Sequence, residues 1–127
     1  MSWQKELAAG FRDQEQLLKY LGHEEASGSK TAQNKFNTRV PKNFADKMRR
    51  NDLNCPLLKQ VLPISAELEL IDGYVVDPLQ ENQYNVMPGL LHKYYGRVLV
   101  TIAGTCAINC RYCFRREFPY SNNQLSP

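Results

Sequence analysis

Three cysteines lie close together in the last quarter of the chain, at Cys106, Cys110 and Cys113. The C-x3-C-x2-C spacing places three soft sulfur ligands on neighbouring positions and supplies no fourth. A [4Fe-4S] cluster is normally held by four thiolates. Three ligands would leave one iron open, and an open iron can bind and activate a small molecule. The spacing therefore predicts an iron–sulfur site with one free coordination position.

Three other uses of these cysteines have to be weighed. Disulfides are disfavoured because three of the four cysteines are crowded together and Cys55 is remote in sequence. Structural zinc usually takes four ligands in C-x2-C pairs, so the fourth would have to be Cys55 or His92. A helix would place the three cysteines on one face as core residues, but Gly104 and polar Asn109 argue against a helix here.

The neighbours of the cysteines favour the cluster. Arg111, Arg115 and Arg116 bring positive charge, which favours thiolates and offsets the negative charge of a cluster. Tyr112 lies between two of the cysteines, where its ring either packs against a flat cofactor or joins the core.

The elements that must position this loop can be read from the hydrophobic pattern. Residues 97–103 are rich in β-branched side chains and nearly all apolar, which predicts a strand buried on both faces, and Gly104 ends it. The cysteines then follow a buried strand, and cofactor sites of parallel α/β folds gather at such strand ends. Helices are predicted at 2–9 and 14–21, with a flexible connection over 22–38. Two more are predicted, one after Pro41 and one that begins at Asn54 as N-cap.

Composition and charge narrow the class of protein. The chain has 127 residues, of which 43% are hydrophobic and 23% charged, as in a globular protein. A formal net charge of +3 is too small to indicate nucleic-acid binding. No apolar run reaches the ~20 residues of a membrane span, and the N-terminus lacks a signal region, which predicts a cytoplasmic location without membrane contact.

The motif with its flanks resembles a known family. C-x3-C-x2-C with an aromatic residue before the last cysteine is similar to the signature of radical S-adenosylmethionine enzymes. The flanking sequences resemble the lysine 2,3-aminomutase family, above all the subgroup whose product modifies elongation factor P. The segments that carry the resemblance are Asp77-Pro78-Leu79-Gln80-Glu81, then 88–99, and then Cys110-Arg111-Tyr112-Cys113-Phe114-Arg115-Arg116.

This resemblance implies an isomerase that converts α-lysine to β-lysine, with an electron-donor protein and elongation factor P as partners of its pathway. It implies a [4Fe-4S] cluster on Cys106, Cys110 and Cys113, with S-adenosylmethionine on the open iron near Tyr112. It also implies pyridoxal 5′-phosphate, whose phosphate would be gripped by three residues, and a lysine carboxylate bound by Arg115. The three phosphate residues are Lys93, Tyr94 and Arg97.

The family fold is a radical S-adenosylmethionine (β/α) barrel preceded by helices, so the resemblance implies an α/β protein. Residues 1–96 correspond to the helical extension, and 97–127 to the first barrel strand and the cluster loop. A full (β/α)8 barrel takes ~250 residues. We therefore expect an N-terminal fragment that is inactive by itself and lacks the lysine that anchors pyridoxal phosphate. The alternatives are a small zinc or iron–sulfur module without catalysis, and an inactive gene fragment.

Overall fold

The structure is a computed structural model that describes residues 2–122. Its helices and strands, in chain order, are α1 (Trp3–Ala8), α2 (Gln14–Tyr20), α3 (Lys30–Lys35), α4 (Lys42–Ala45), α5 (Pro56–Lys59), β1 (Asn85–Met87), β2 (Leu90–Tyr94) and β3 (Arg97–Val100). Short 3-10 helices lie at Ser65–Leu68, Glu81–Tyr84 and Tyr120–Asn122.

The chain forms two compact units. The helical unit comprises Met1–Glu69 together with Ala107–Cys113, and the sheet unit comprises Leu70–Cys106 together with Phe114–Pro127. The sequence divides the chain differently, at residue 96, because that boundary follows the family pattern rather than packing. The boundary at 96 stays a prediction, and residues 123–127 of its second segment lie outside the described range.

The two N-terminal helices are confirmed as α1 and α2. Asp13 is the N-cap of α2, since its side chain accepts hydrogen bonds from the backbone N–H groups of Glu15 and Gln16 at 2.8 and 3.2 Å. These bonds satisfy donors that the first helical turn leaves unpaired. The other carboxylate oxygen accepts from Nε2 of Gln33 at 3.0 Å, and this bond holds the pKa of Asp13 below its usual value.

Replacing Asp13 with alanine is expected to lower the free energy of unfolding by about 1 kcal/mol at neutral pH, through loss of the cap. Because the pKa of Asp13 is lowered in the folded chain, its stabilisation is present above the usual aspartate pKa and is lost as pH falls through the folded value. The difference in the free energy of unfolding between wild type and Asp13→Ala should therefore become smaller as pH falls from neutral to about 3. Urea denaturation at both pH values measures it, with exposed Asp72→Ala as the control that should change little.

Two local predictions are wrong. The stretch 22–38, expected to be a flexible connection, contains α3, which Ser29 caps by accepting from Ala32 N–H at 3.2 Å. Ala32 is fully buried, so packing stabilises this helix although its mostly polar sequence does not predict one. Helix α5 starts one position later than predicted, with Cys55 as N-cap in place of Asn54. Pro56 is then the first helical residue, where its missing N–H costs nothing.

The core of the helical unit is built from buried side chains of α2, α4, α5 and the segments between them. Phe11, before α2, and Val40, before α4, are joined by a pair of backbone hydrogen bonds at 2.8 and 3.0 Å. Ile108, in the loop that carries the cysteines, packs against the same cluster. The buried members are Leu17, Leu18, Leu21, Val40, Ala45, Met48, Cys55, Leu58 and Val61.

The sheet unit corrects the main strand prediction. Its three strands are antiparallel in the order β1-β2-β3, with Leu91 opposite Leu99 and Leu90 opposite Val100. The predicted strand 97–103, expected to be buried on both faces, is only Arg97–Val100, and all four residues are exposed. The presence of helices and strands is as predicted, but the sheet described here is a meander, and the barrel stays a prediction.

The hairpin has a physical cause in the turns. Gly96, at φ 74°, forms the turn between β2 and β3 with Tyr95, and Gly89, at φ 81°, lies in the turn between β1 and β2. Such left-handed conformations favour glycine, and a two-residue turn makes the preceding segment the nearest partner of β3. Within residues 2–122, no helix is long and apolar enough to cross a membrane.

Candidate cofactor site

The three motif cysteines lie in irregular backbone after β3. Cys106 is exposed and belongs to the sheet unit, whereas Cys110 and Cys113 are half-buried and belong to the helical unit. The N–H of Cys113 donates to the carbonyl of Cys110 at 3.1 Å, which closes a turn between these two cysteines. The core-helix alternative is wrong, since the run is not helical and Cys106 is in solvent.

The donor chemistry of this loop fits an iron–sulfur cluster. None of the four cysteines, which all lie within residues 2–122, forms a disulfide, and this contradicts the disulfide alternative. Among residues 2–122, no three His, Cys, Asp or Glu side chains are grouped to hold a metal ion. Three thiols with at least partial solvent access still suit soft-metal binding by their chemistry. Cys55, the zinc alternative's fourth ligand, is only 1% exposed and packs in the hydrophobic core.

Arg111 is the most strongly held residue of the loop. Its guanidinium donates to both carboxylate oxygens of Glu67, with Nη2–Oε2 at 2.7 Å and Nε–Oε1 at 3.0 Å. It also donates to the carbonyls of Phe36 at 2.6 Å and Ala32 at 3.1 Å, and it stacks over the Phe36 ring. The Arg111 and Glu67 side chains are only 6% and 9% exposed, so this is a buried ion pair.

The positive field expected around the cysteines is therefore weaker than the sequence indicates. Arg111 is neutralised by Glu67, and Arg115 by Glu81, whose oxygens lie 2.9 and 2.7 Å from its Nε and Nη2. Arg116 lies 3.7 Å from the carboxylate of Glu117. Each arginine has a carboxylate partner, which cancels most of its charge at a distance.

Tyr112 points away from the core. Its side chain is 70% exposed, and its hydroxyl donates to Oε1 of Gln60 at 3.1 Å. The core-packing alternative for this ring is therefore wrong. The exposed face leaves the ring available to a flat ligand.

A second group of predicted site residues comes together in the sheet unit. Lys93, Tyr94, Arg97 and Arg115 all line one cavity of about 330 Å³. The guanidinium of Arg97 lies over the Tyr94 ring at 4.5 Å, and the Lys93 ammonium lies 5.7 Å from the same ring. Lys93 also donates to the carbonyl of Leu79. Cations and a phenol at one cavity are chemically suited to a phosphate group.

The Glu81 carboxylate sets the position of Arg115 in this cavity. The two parallel hydrogen bonds make a bidentate pair, and donation to the Glu81 carboxylate raises the pKa of Arg115. Asp77 in turn accepts from the backbone N–H groups of Glu81 and Asn82 at 2.9 and 3.0 Å. These backbone bonds, first that from Asn82 and then that from Glu81, lower the pKa of Asp77. Asp77 thus orients the backbone at Glu81, and Glu81 in turn holds the Arg115 side chain, 34 positions further along the chain.

Sequence reasoning missed three residues of these sites: Glu67, Glu81 and Tyr84. Tyr84 lines the cavity and lies 5.5 Å from the Lys93 ammonium. The two glutamates come from segments 44 and 34 positions away from their arginines. The turn signal Asp77-Pro78 was available for Glu81, but no local pattern indicates which arginine it pairs with.

Comparison with known proteins shows what the chain is similar to. No family model matches it. It is 44% identical over 125 residues to L-lysine 2,3-aminomutase of Escherichia coli (strain K12), a match that covers 96% of this chain and 36% of that protein. The protein of the same name from Haemophilus influenzae is 40% identical over 124 residues, or 96% of this chain and 37% of that protein.

A more distant relative shows the same relation. L-lysine 2,3-aminomutase of Clostridium subterminale is 31% identical over 127 residues, which is 98% of this chain and 30% of that protein. The chain spans about a third of the length of the curated relatives it matches. The expected resemblance is confirmed: over 96% of its length, the chain is 40–44% identical to proteins named L-lysine 2,3-aminomutase.

Proposed function

We propose that this chain forms the cluster-binding part of a radical S-adenosylmethionine aminomutase that converts α-lysine to β-lysine. One observation carries the proposal: a C-x3-C-x2-C run stands in a chain 44% identical to an L-lysine 2,3-aminomutase. Cys106, Cys110 and Cys113 would bind a [4Fe-4S] cluster. When bound, such a cluster supplies an open iron for S-adenosylmethionine and the electron that cleaves it.

The cavity of the sheet unit supports the second half of the proposal. Lys93, Tyr94 and Arg97 would hold the phosphate of pyridoxal 5′-phosphate, and Arg115 would bind the lysine carboxylate. Arg115 already donates hydrogen bonds to Glu81 from its Nε and Nη2. A substrate carboxylate would therefore bind the remaining N–H groups of Arg115. An electron-donor protein, a link to elongation factor P and a cytoplasmic location complete the proposal.

The whole activity can be tested in a chimera. This chain would replace the matching third of the Escherichia coli relative, and conversion of α-lysine to β-lysine would be assayed with a reduced cluster. The proposal expects turnover that is lost when Cys110 is replaced with serine. A chimera that folds and binds iron but makes no β-lysine would favour a metal-binding module without catalysis.

Replacing Arg97 or Lys93 with alanine is expected to weaken binding of pyridoxine 5′-phosphate to the chain. This probe has no aldehyde, so it reports phosphate binding without reaction at lysines. Loss of one charge-assisted hydrogen bond, about 1.5–3 kcal/mol, should weaken affinity roughly ten- to a hundredfold. Titration calorimetry measures this, with Lys47→Ala, an exposed lysine of the helical unit, as the control. Equal affinities for Lys47→Ala and Arg97→Ala would contradict the phosphate assignment.

A further inference from the structure

We propose that Arg111 is a positioning residue, which fixes Cys110 and Cys113 in place through its buried ion pair with Glu67. This inference rests on the proposed cluster, and it assigns a role to an arginine that the sequence indicates only as a source of positive charge. The role is geometric: Arg111 anchors the part of the loop that carries two of the three sulfur ligands.

Both ends of Arg111 are held. Its backbone N–H donates to the carbonyl of Gln60 at 2.7 Å. Its guanidinium nitrogens all have acceptors, which are the Glu67 carboxylate and the carbonyls of Phe36 and Ala32. A planar fork with every nitrogen engaged has one orientation available, so the peptide on either side of it is fixed too.

The neighbours of Cys110 strengthen the same anchor. Asn109 donates its backbone N–H to the carbonyl of Arg39 at 3.0 Å and its side-chain amide to the carbonyl of Asn37 at 2.8 Å. Cys110 therefore lies between two anchored residues, while the turn bond places Cys113 relative to Cys110. All of these acceptors belong to the helical unit. The helical unit thereby acts as the template for this part of the loop.

Glu67 is itself held in place. Its Oε1 accepts from the backbone N–H of Ile64 at 2.9 Å, at the start of the 3-10 helix Ser65–Leu68. The Glu67 carboxylate thus connects the start of this 3-10 helix to the Arg111 guanidinium. Partners that orient metal ligands in this way usually affect metal affinity about 10–100-fold when they are removed.

An electrostatic role for Arg111 makes the opposite prediction. If Arg111 served the cluster by its charge, then Glu67→Gln would expose that charge and strengthen cluster binding. If Arg111 acts by holding the loop in position, Glu67→Gln weakens the hydrogen bonds to the Arg111 guanidinium and thereby weakens cluster binding. Arg111→Lys separates the two roles again, since it keeps the charge and loses the bidentate geometry.

The test measures iron release from the chain after reconstitution with iron and sulfide. We expect an Fe(II) chelator to strip iron from Glu67→Gln and Arg111→Lys roughly tenfold faster or more than from wild type. Arg49→Lys is the control, because Arg49 is an exposed arginine paired with Asp52 at 3.2 Å. It should lie within about twofold of wild type. Slower or unchanged release from Glu67→Gln would overturn the positioning role.

A second readout does not depend on iron. In the apo chain, hydrogen exchange at the amides of Asn109 and Arg111 should speed up roughly tenfold in Glu67→Gln, and exchange at the core amide of Leu21 should not. Unchanged protection at 109 and 111 overturns the anchor even if the wild-type chain takes up no iron. Failure of iron uptake in wild type with lost protection in Glu67→Gln would instead count against the proposed cluster alone.

Discussion

Replacing Cys106, Cys110 or Cys113 with serine is expected to abolish formation of a stable [4Fe-4S] cluster in the reconstituted chain. A hydroxyl is a poor ligand for cluster iron, and with only three thiolates in the motif no spare sulfur ligand is close in sequence. Wild type should bind about four irons with an equal amount of sulfide, and one of those irons should be labile. Iron and sulfide analysis, with the electron paramagnetic resonance spectrum of the reduced protein, measures the difference.

Cys55→Ala is the matched control for these variants. Cys55 is buried in the core of the helical unit, where its sulfur accepts from the backbone N–H of Arg49 at 3.3 Å. Its loss should lower stability modestly and leave iron content unchanged. If Cys55→Ala loses all metal, or if the wild-type chain takes up tetrahedral zinc as tightly as the cluster, the zinc-module alternative is correct.

Replacing Leu18 with alanine is expected to unfold most of the helical unit at room temperature. Leu18 is fully buried in the core cluster, and a buried Leu→Ala change costs about 2–5 kcal/mol. A core this small supplies only about 3–5 kcal/mol of net stability, so the loss is comparable to the whole. Because residues 107–113 belong to this unit, we also expect the variant to lose the anchored form of the cysteine loop.

Circular dichroism during urea denaturation measures the effect, and hydrogen exchange at Asn109 reports the loop. Leu70→Ala removes the same atoms from a side chain that is 99% exposed and should change stability by no more than about 0.5 kcal/mol. Similar losses for Leu18→Ala and Leu70→Ala would mean that the described core does not stabilise the helical unit.

The success and failure of prediction follow from the range of the interactions concerned. Helices α1 and α2 could be predicted because their apolar spacing, and for α2 the cap at Asp13, lie within a few residues. Strand β3 was misread because an apolar, β-branched run is the same whether its neighbours are parallel or antiparallel. The local signal for an antiparallel hairpin is the two-residue turn at Gly96. This turn predicts the direction of the neighbouring strand, which the apolar sequence of β3 does not.

The sequence by itself determined which side chains are available for chemistry: the type and spacing of Cys106, Cys110 and Cys113, and through the flanking residues the resemblance to lysine 2,3-aminomutases. Spacing along a chain is a local property, so it can be read without a fold. Tertiary structure alone decided the partners, namely that Glu67 neutralises and orients Arg111 and that Glu81 does so for Arg115. Those pairings join residues far apart in sequence, and only the packing of the chain brings such charges within hydrogen-bond distance.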